Sequence, residues 1–144
     1  MGNDFAFIDF INISEQEINN YEPIAGSYAV VMCNDNYLIA YNTLRNQWEL
    51  PAGKRELHET PKECAIRELF EETGQVVTDL EFKGLLKVKN IRAGTIKYNP
   101  VFHTTIDELQ PFKENDETSE IKLWDLKEKI GLIDSVDINI FKYL

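Results

Sequence analysis

Gly53-Lys54-Arg55-Glu56-Leu57-His58-Glu59-Thr60-Pro61-Lys62-Glu63-Cys64-Ala65-Ile66-Arg67-Glu68-Leu69-Phe70-Glu71-Glu72-Thr73-Gly74 is the stretch whose reading decides the fold. Its second half predicts a helix. Thr60 is a favourable N-cap, Pro61 suits the first helical position, and Glu63 completes a capping box. Gly74 is the expected C-terminal stop. At about 100° per residue, Ala65, Ile66, Leu69, Phe70 and Thr73 share one side and should pack, while Glu68, Glu71 and Glu72 gather opposite them. Like charges spaced i, i+3, i+4 repel, and near a helix C-terminus the macrodipole disfavours them further. A hard divalent cation such as Mg2+ or Mn2+ reverses the sign of that penalty. Arg67 can pair with Glu71 at i+4 or reach back to Glu59, fixing a carboxylate in one orientation. In a chain with 25 acidic residues the same glutamates also fit a solvated face, so the preceding loop matters. There, Leu50-Pro51-Ala52-Gly53 is a Pro-x-Gly turn that lets backbone approach the cluster and offer carbonyl oxygens.

Outward from this stretch the pattern is that of strands. Tyr28–Cys33 and Tyr37–Tyr41 flank the turn signal Asn34-Asp35-Asn36 and predict a hairpin. Trp48-Glu49-Leu50 is a short apolar piece stopped by Pro51. Phe82–Lys89 and Thr95–Ile106 predict two strands joined near Asn90–Gly94. Gln110–Glu120 is an acidic loop, Ile121–Trp124 a short strand, and Ser135 a candidate cap for a terminal helix ending at Leu144. The first 26 residues are mixed and end in the breaker-rich Glu22-Pro23-Ile24-Ala25-Gly26. Strands on both sides of one strong helix predict an α+β fold with a mixed sheet packed by helices.

Composition bounds the function. The 144 residues suit one domain, 1–144, and 43% apolar with 28% charged residues is ordinary for a globular protein. A net charge of −10 argues against long nucleic acids and anionic membranes as partners. A small anionic ligand stays possible where cations gather, as bound metal or as Arg45, Lys54 and Arg55. Cys33 and Cys64 have neither the number nor the spacing of a zinc site or a disulfide framework, which points to a reducing compartment. Met1–Ile13 carries Asp4 and Asp9 and no basic residue, unlike a secretory signal, and Ala6 stands where myristoylation wants Ser or Thr. A cytoplasmic protein is expected.

Gly53, five residues, Glu59, seven residues, then Arg67-Glu68-Leu69-Phe70-Glu71-Glu72-Thr73-Gly74 resembles the Nudix box of the Nudix hydrolase (MutT-like) superfamily. Every fixed polar and glycine position is met over 53–75. The departure is Gln75, where the family usually has an aliphatic residue. The resemblance implies the Nudix fold, an α/β/α sandwich with a mixed sheet between helices. It implies an enzyme that cleaves the diphosphate of a nucleoside diphosphate linked to another group, with water and Mg2+ or Mn2+. Carried over by position, Gly53, Glu68, Glu71 and Glu72 are metal ligands, Arg67 orients a glutamate, and Glu59 braces the loop. The general base is Glu68 or an acid of the loop, Glu114, Glu117 or Glu120, with Glu117 preferred because it precedes the Glu120–Trp124 segment.

Substrate binding is expected of Arg45, Lys54, Arg55 and Trp48. Tyr41, Tyr98 and Phe102 are further stacking candidates, although aromatics at strand spacing are more often core. His58 and His103 have no partner pattern, and Cys64 should pack. Pro near Asn90, Tyr near Arg92 and a Ser-Gln-Pro-Trp motif mark other subgroups of the family and are absent here. Their absence tilts the substrate toward a nucleoside triphosphate, including oxidised ones. The alternatives are ADP-ribose or another nucleotide sugar, or a non-catalytic nucleotide-binding module. The expected assembly is a monomer or homodimer.

Overall fold

The hairpin between β2 (Ser27–Cys33) and β3 (Asn36–Asn42) sets the centre of the sheet. Asn34 and Asp35 take φ of 51° and 66°. Those left-handed values match a tight hairpin turn, and short polar side chains tolerate them best. β2 and β3 pair only beside the turn, at Met32–Tyr37 and Cys33–Asn36. Past it they part: β4 (Gln47–Glu49) pairs β3, and β5 (Ala52–Gly53) pairs β2. The turn carrying Gly53 is therefore threaded between two separated central strands.

A computed structural model describes residues 4–144; the part of the N-terminal reading that rests on Met1, Gly2 and Asn3 lies outside them. The remaining strands are β1 (Phe5–Ile11), β6 (Glu81–Asn90), β7 (Ile96–Ile106) and β8 (Thr118–Trp124). The order is β1-β6-β7-β2-β3-β4, with β8 on the other side of β3. β2 and β7 run parallel and the other strand pairs antiparallel, so the sheet is mixed. Strand β1 corrects the reading of the first 26 residues, which assigned no element there. Its signal was the apolar alternation of Phe5, Phe7 and, past a register shift at Phe7/Asp9, Phe10.

Helices lie on both faces, as an α+β sandwich requires. Helix α1 (Pro61–Thr73) begins and ends as its caps dictate: Thr60 Oγ1 accepts from Glu63 N at 3.1 Å, and Gly74 sits at φ 80°. It buries Ala65 and Leu69 against Ala29, Val31, Leu38 and Phe102. Removing a side chain such as Leu69 from water contributes about 2 kcal/mol. Phe70 departs from the predicted apolar side. It is 39% exposed, with the Lys113 ammonium 5.0 Å above its ring.

The opposite face packs Tyr28, Val30, Leu50, Leu86, Val88 and Val101 under Val136, Ile140 and Phe141. The terminal helix there is shorter than predicted: α2 spans only Asp137–Ile140, followed by a 3-10 turn over Phe141–Tyr143. Ser135 does not cap it. Asp134 does, its Oδ1 accepting from Val136 N at 2.8 Å and Asp137 N at 3.0 Å. Among the described residues no helix is long and apolar enough to cross a membrane.

Gln75, the residue that departs from the box, is fully buried. Its amide works as a surrogate strand edge: Nε2 donates to Gln110 O at 2.8 Å, and Oε1 accepts from Gln110 N at 2.8 Å. Gln110 answers in kind, its side chain meeting Val76 O at 2.9 Å and Val76 N at 3.2 Å. An aliphatic residue at 75 would strand the Gln110 backbone groups. Gln75→Leu, although it moves the box toward its usual pattern, should lower stability by about 1 kcal/mol in urea unfolding.

Candidate active site

The site forms where α1 faces the turn at Gly53. Arg67 is its hub. Nε and Nη2 donate to Glu59 at 2.7 and 3.0 Å, and Nη1 donates to Glu68 at 2.8 Å and to Glu71 at 3.1 Å. Nη2 also donates to Lys54 O at 2.8 Å. Both pairings foreseen for Arg67 are thus present together. The guanidinium joins the helix to the loop and offsets the repulsion among the glutamates.

The turn meets the helix closely. A Cβ on Gly53 would stand 2.0 Å from Glu68 Cδ, so only glycine fits beside that carboxylate. The Cys64 thiol, buried as expected, donates to Gly53 O at 3.4 Å, and Ala52 N donates to Glu72 Oε2 at 3.1 Å. Burial raises the proton affinity of Glu72, and the Glu68 charge adds to this. Glu68 is raised too, by burial first, with Arg67 opposing. Glu71 is more open, its side chain 53% exposed. The four oxygen donors suit a hard divalent cation in kind. Among the described residues no three carboxylate, imidazole or thiolate groups already converge in a metal-ligand geometry. Glu68 and Glu71 are drawn to the guanidinium instead.

The acidic loop is tied to the same corner. Asn115 Nδ2 donates to Glu72 O at 3.1 Å, and Asn115 Oδ1 accepts from Glu117 N and Thr118 N at 3.0 and 2.9 Å. Thr43 N holds Glu117 O at 2.8 Å. The Glu117 charge raises both Glu68 and Glu72, an influence not shared by Glu114 or Glu120 among their leading causes. The Asn-x-Glu-Thr segment, an Asx-type turn, is the sequence signal for this anchoring.

Two substrate-binding expectations are corrected. Trp48 is 6% exposed, packs edge-to-face on Tyr41, and donates Nε1–H to Ile130 O at 2.9 Å. It is core, not a stacking platform, because its strand is covered by the segment before α2. Phe102 is also buried, and Tyr98 packs on Tyr21. Arg45 is no free cation: its guanidinium grips Glu49 through two bonds of 2.7 and 2.8 Å. That grip lowers the Glu49 carboxyl below its ordinary value although burial pushes the other way. Lys54 and Arg55 lie exposed on the loop, and Arg55 to Glu59 line a depression of about 410 Å³.

Sequence reasoning also missed a buried polar network behind the turn. Asp137 accepts from Leu50 N at 2.8 Å and from the Tyr28 hydroxyl at 3.1 Å. Asp134 accepts from Gln47 Nε2 at 2.9 Å, and Gln47 also bonds Glu49 at 2.7 Å. Through these bonds the C-terminal segment fixes the residue just ahead of Pro51. Acids far apart in the chain give no local pattern that reveals such a network.

The Arg67 grip has a pH signature. Glu59, 12% exposed at its side chain, is held by Arg67 to a pKa of about 2, from an ordinary 4.5. A lowered carboxylate stabilises the fold above its unfolded pKa and loses that contribution as pH falls through the folded value. The melting-temperature difference between the native chain and Glu59→Gln should therefore be largest above about pH 4.5 and shrink toward pH 2. A difference that stays constant across that range would contradict the ion-pair account.

The NUDIX domain pattern matches residues 24–143. A MutT-like protein of Streptomyces ambofaciens is 44% identical over 59 residues, which is 40% of this chain and 38% of that relative. Among solved structures, the MutT NUDIX hydrolase of Burkholderia pseudomallei superposes with a TM-score of 0.72 at 17% identity, covering 85% of this chain and 99% of the other. The NUDIX domain of Shewanella oneidensis NrtR, solved with ADP ribose, superposes with a TM-score of 0.68 at 18% identity, covering 91% and 96%. With the box geometry and the mixed sheet in place, the chain belongs to the NUDIX family.

Proposed function

We propose that the chain, as one domain over 1–144, is a divalent-cation-dependent pyrophosphohydrolase. It cleaves the diphosphate of a nucleoside diphosphate linked to another group, and a nucleoside triphosphate, oxidised or not, is the preferred substrate. ADP-ribose, the ligand of the Shewanella domain, is the second candidate. The observation that carries this reading is the Arg67 hub, which gathers Glu59, Glu68 and Glu71 beside the Gly53 turn. The placing of Glu68 and Glu71 near a helix C-terminus opposes helix stability, and it suits a centre that neutralises phosphate charge.

Gly53 O, Glu68, Glu71 and Glu72 would hold Mg2+ or Mn2+. The bound ion supplies charge neutralisation of the phosphates and a lowered pKa of water. The chain's own residues do the positioning. Arg67 and Glu59 keep the helix and loop at a fixed separation, and Ala52 N holds Glu72 in one rotamer. Glu117 is the preferred base: its backbone is pinned at Asn115 and Thr43, the residue is exposed, and its charge raises the proton affinity of both Glu68 and Glu72. Glu68 is the alternative base, since burial already raises its proton affinity.

The test is turnover of a nucleotide panel with Mg2+ or Mn2+, read as phosphate or pyrophosphate release. Glu71→Gln should lower kcat by roughly 100-fold or more and abolish stabilisation by the cation, while the unfolding transition without cation persists. Full activity in that variant would remove Glu71 from the site. Gly53→Ala should fail similarly, because the new methyl group displaces the Glu68 carboxylate.

A further inference from the structure

Strand β7 ends at Ile106 and β8 begins at Thr118, and residues 107–117 between them form neither helix nor strand. That connection is longer than the usual loop of about 4–6 residues, so its course depends on individual tie points. Glu117 is its last residue. The first tie point is Gln75, just past the C-cap of α1 and three positions after Glu72. Its buried amide takes both backbone groups of Gln110 at 2.8 Å, while the Gln110 amide meets Val76 N and O at 3.2 and 2.9 Å. Gln75 Nε2 also donates to Thr73 O at 3.3 Å, which holds the amide against the helix end. Next along the loop, a Cβ on Gly74 would stand 3.0 Å from Pro111 O and 2.9 Å from Lys113 N. Asn115 then reaches Glu72 O at 3.1 Å. The loop is thus laid along the C-terminal end of α1 from residue 110 to residue 115.

The helix carries the carboxylates proposed to hold the cation, and the loop carries the proposed base. Their separation matters, since a misplacement of about 1 Å can cost roughly 100-fold in rate. An aliphatic residue at 75 would draw the loop in without fixing its register, because hydrophobic burial has no direction. Four hydrogen bonds between two amides and two backbone segments do fix it. A buried amide carries a desolvation cost that an aliphatic side chain avoids, so what Gln75 adds is position rather than burial energy.

We propose that Gln75 is a positioning residue: through its clasp on Gln110 it sets the loop that presents Glu117 to the carboxylates of α1. The proposal rests on the reading of Glu117 as the base and deepens it. It gives the one departure from the box a role in the reaction.

Three measurements on the full chain test this. The first is amide hydrogen exchange of residues 111–117 without divalent cation. Exchange there should be about tenfold or more faster in Gln75→Met, which keeps the side-chain length, and in Gln110→Ala, whose exposed position lets the variant fold. Val88→Ala, a core truncation on β6, should lower the melting temperature and leave that exchange unchanged. The second is turnover with Mg2+. Gln75→Met should lower kcat about tenfold while KM stays within about twofold, and its stabilisation by Mn2+ should persist because Glu68, Glu71 and Glu72 remain on α1. The third is a double-mutant cycle. Glu117→Gln should lower kcat about 100-fold, and adding Gln75→Met should lower it no further, since groups acting as one unit are not additive. Additive losses, unchanged loop exchange in both clasp variants, or a lost Mn2+ effect in Gln75→Met would overturn the proposal. Full kcat in Glu117→Gln would remove the base and the proposal with it. A native chain that turns over no nucleotide overturns the functional reading instead, and the exchange rates alone then decide whether the clasp orders the loop.

Discussion

One guanidinium holds this site together. Three glutamates within five residues near a helix C-terminus repel one another and the helix dipole, yet the sequence ends α1 that way. Arg67 makes the arrangement tolerable by bonding Glu68, Glu71 and Glu59 at once, and by fastening the Lys54 carbonyl it also fixes the distance from helix to turn. Without it the carboxylates would splay into solvent and the turn would lose its tether. The preference for bidentate geometry explains why an arginine stands there rather than a lysine.

The fold delivers the turn to that hub. β2 and β3 are paired only near their hairpin, and the gap they leave admits β4 and β5. Three bonds then set the turn: Asp137 to Leu50 N on one side of the sheet, Ala29 N to Pro51 O within it, and Ala52 N to Glu72 on the other. The C-terminal segment is therefore coupled to the carboxylate cluster through a few consecutive residues, although α2 lies on the face away from α1. The acidic loop joins through Asn115 and through the paired amides of Gln75 and Gln110.

Local rules carried the sequence reading where one short segment contained all the terms. Thr60, Pro61, Glu63 and Gly74 define α1 by capping chemistry, and Asn34-Asp35 define the hairpin by turn chemistry. The box spacing located Glu59, Arg67 and the glutamates as one cluster for the same reason: a single helix and its entry loop bring them together. What escaped was non-local. Trp48 looked available for stacking because the segment that buries it arrives more than 80 residues later. Arg45 reads as a free cation in the sequence because its partner Glu49 sits inside the apolar piece Trp48-Glu49-Leu50. The Asp134 cap displaced Ser135 because its carboxylate reaches two backbone N–H groups at once, which residue type alone does not rank.

The central claim is that the anions between Arg67 and Thr73 exist to hold divalent cations against a substrate's phosphates. The most direct measurement is anomalous diffraction from crystals soaked in Mn2+ with a non-hydrolysable nucleotide analogue. The account predicts Mn2+ density bounded by Gly53 O, Glu68, Glu71 and Glu72, with metal–oxygen distances of roughly 2 Å. Manganese bound only elsewhere, with those carboxylates still folded onto Arg67, would contradict it.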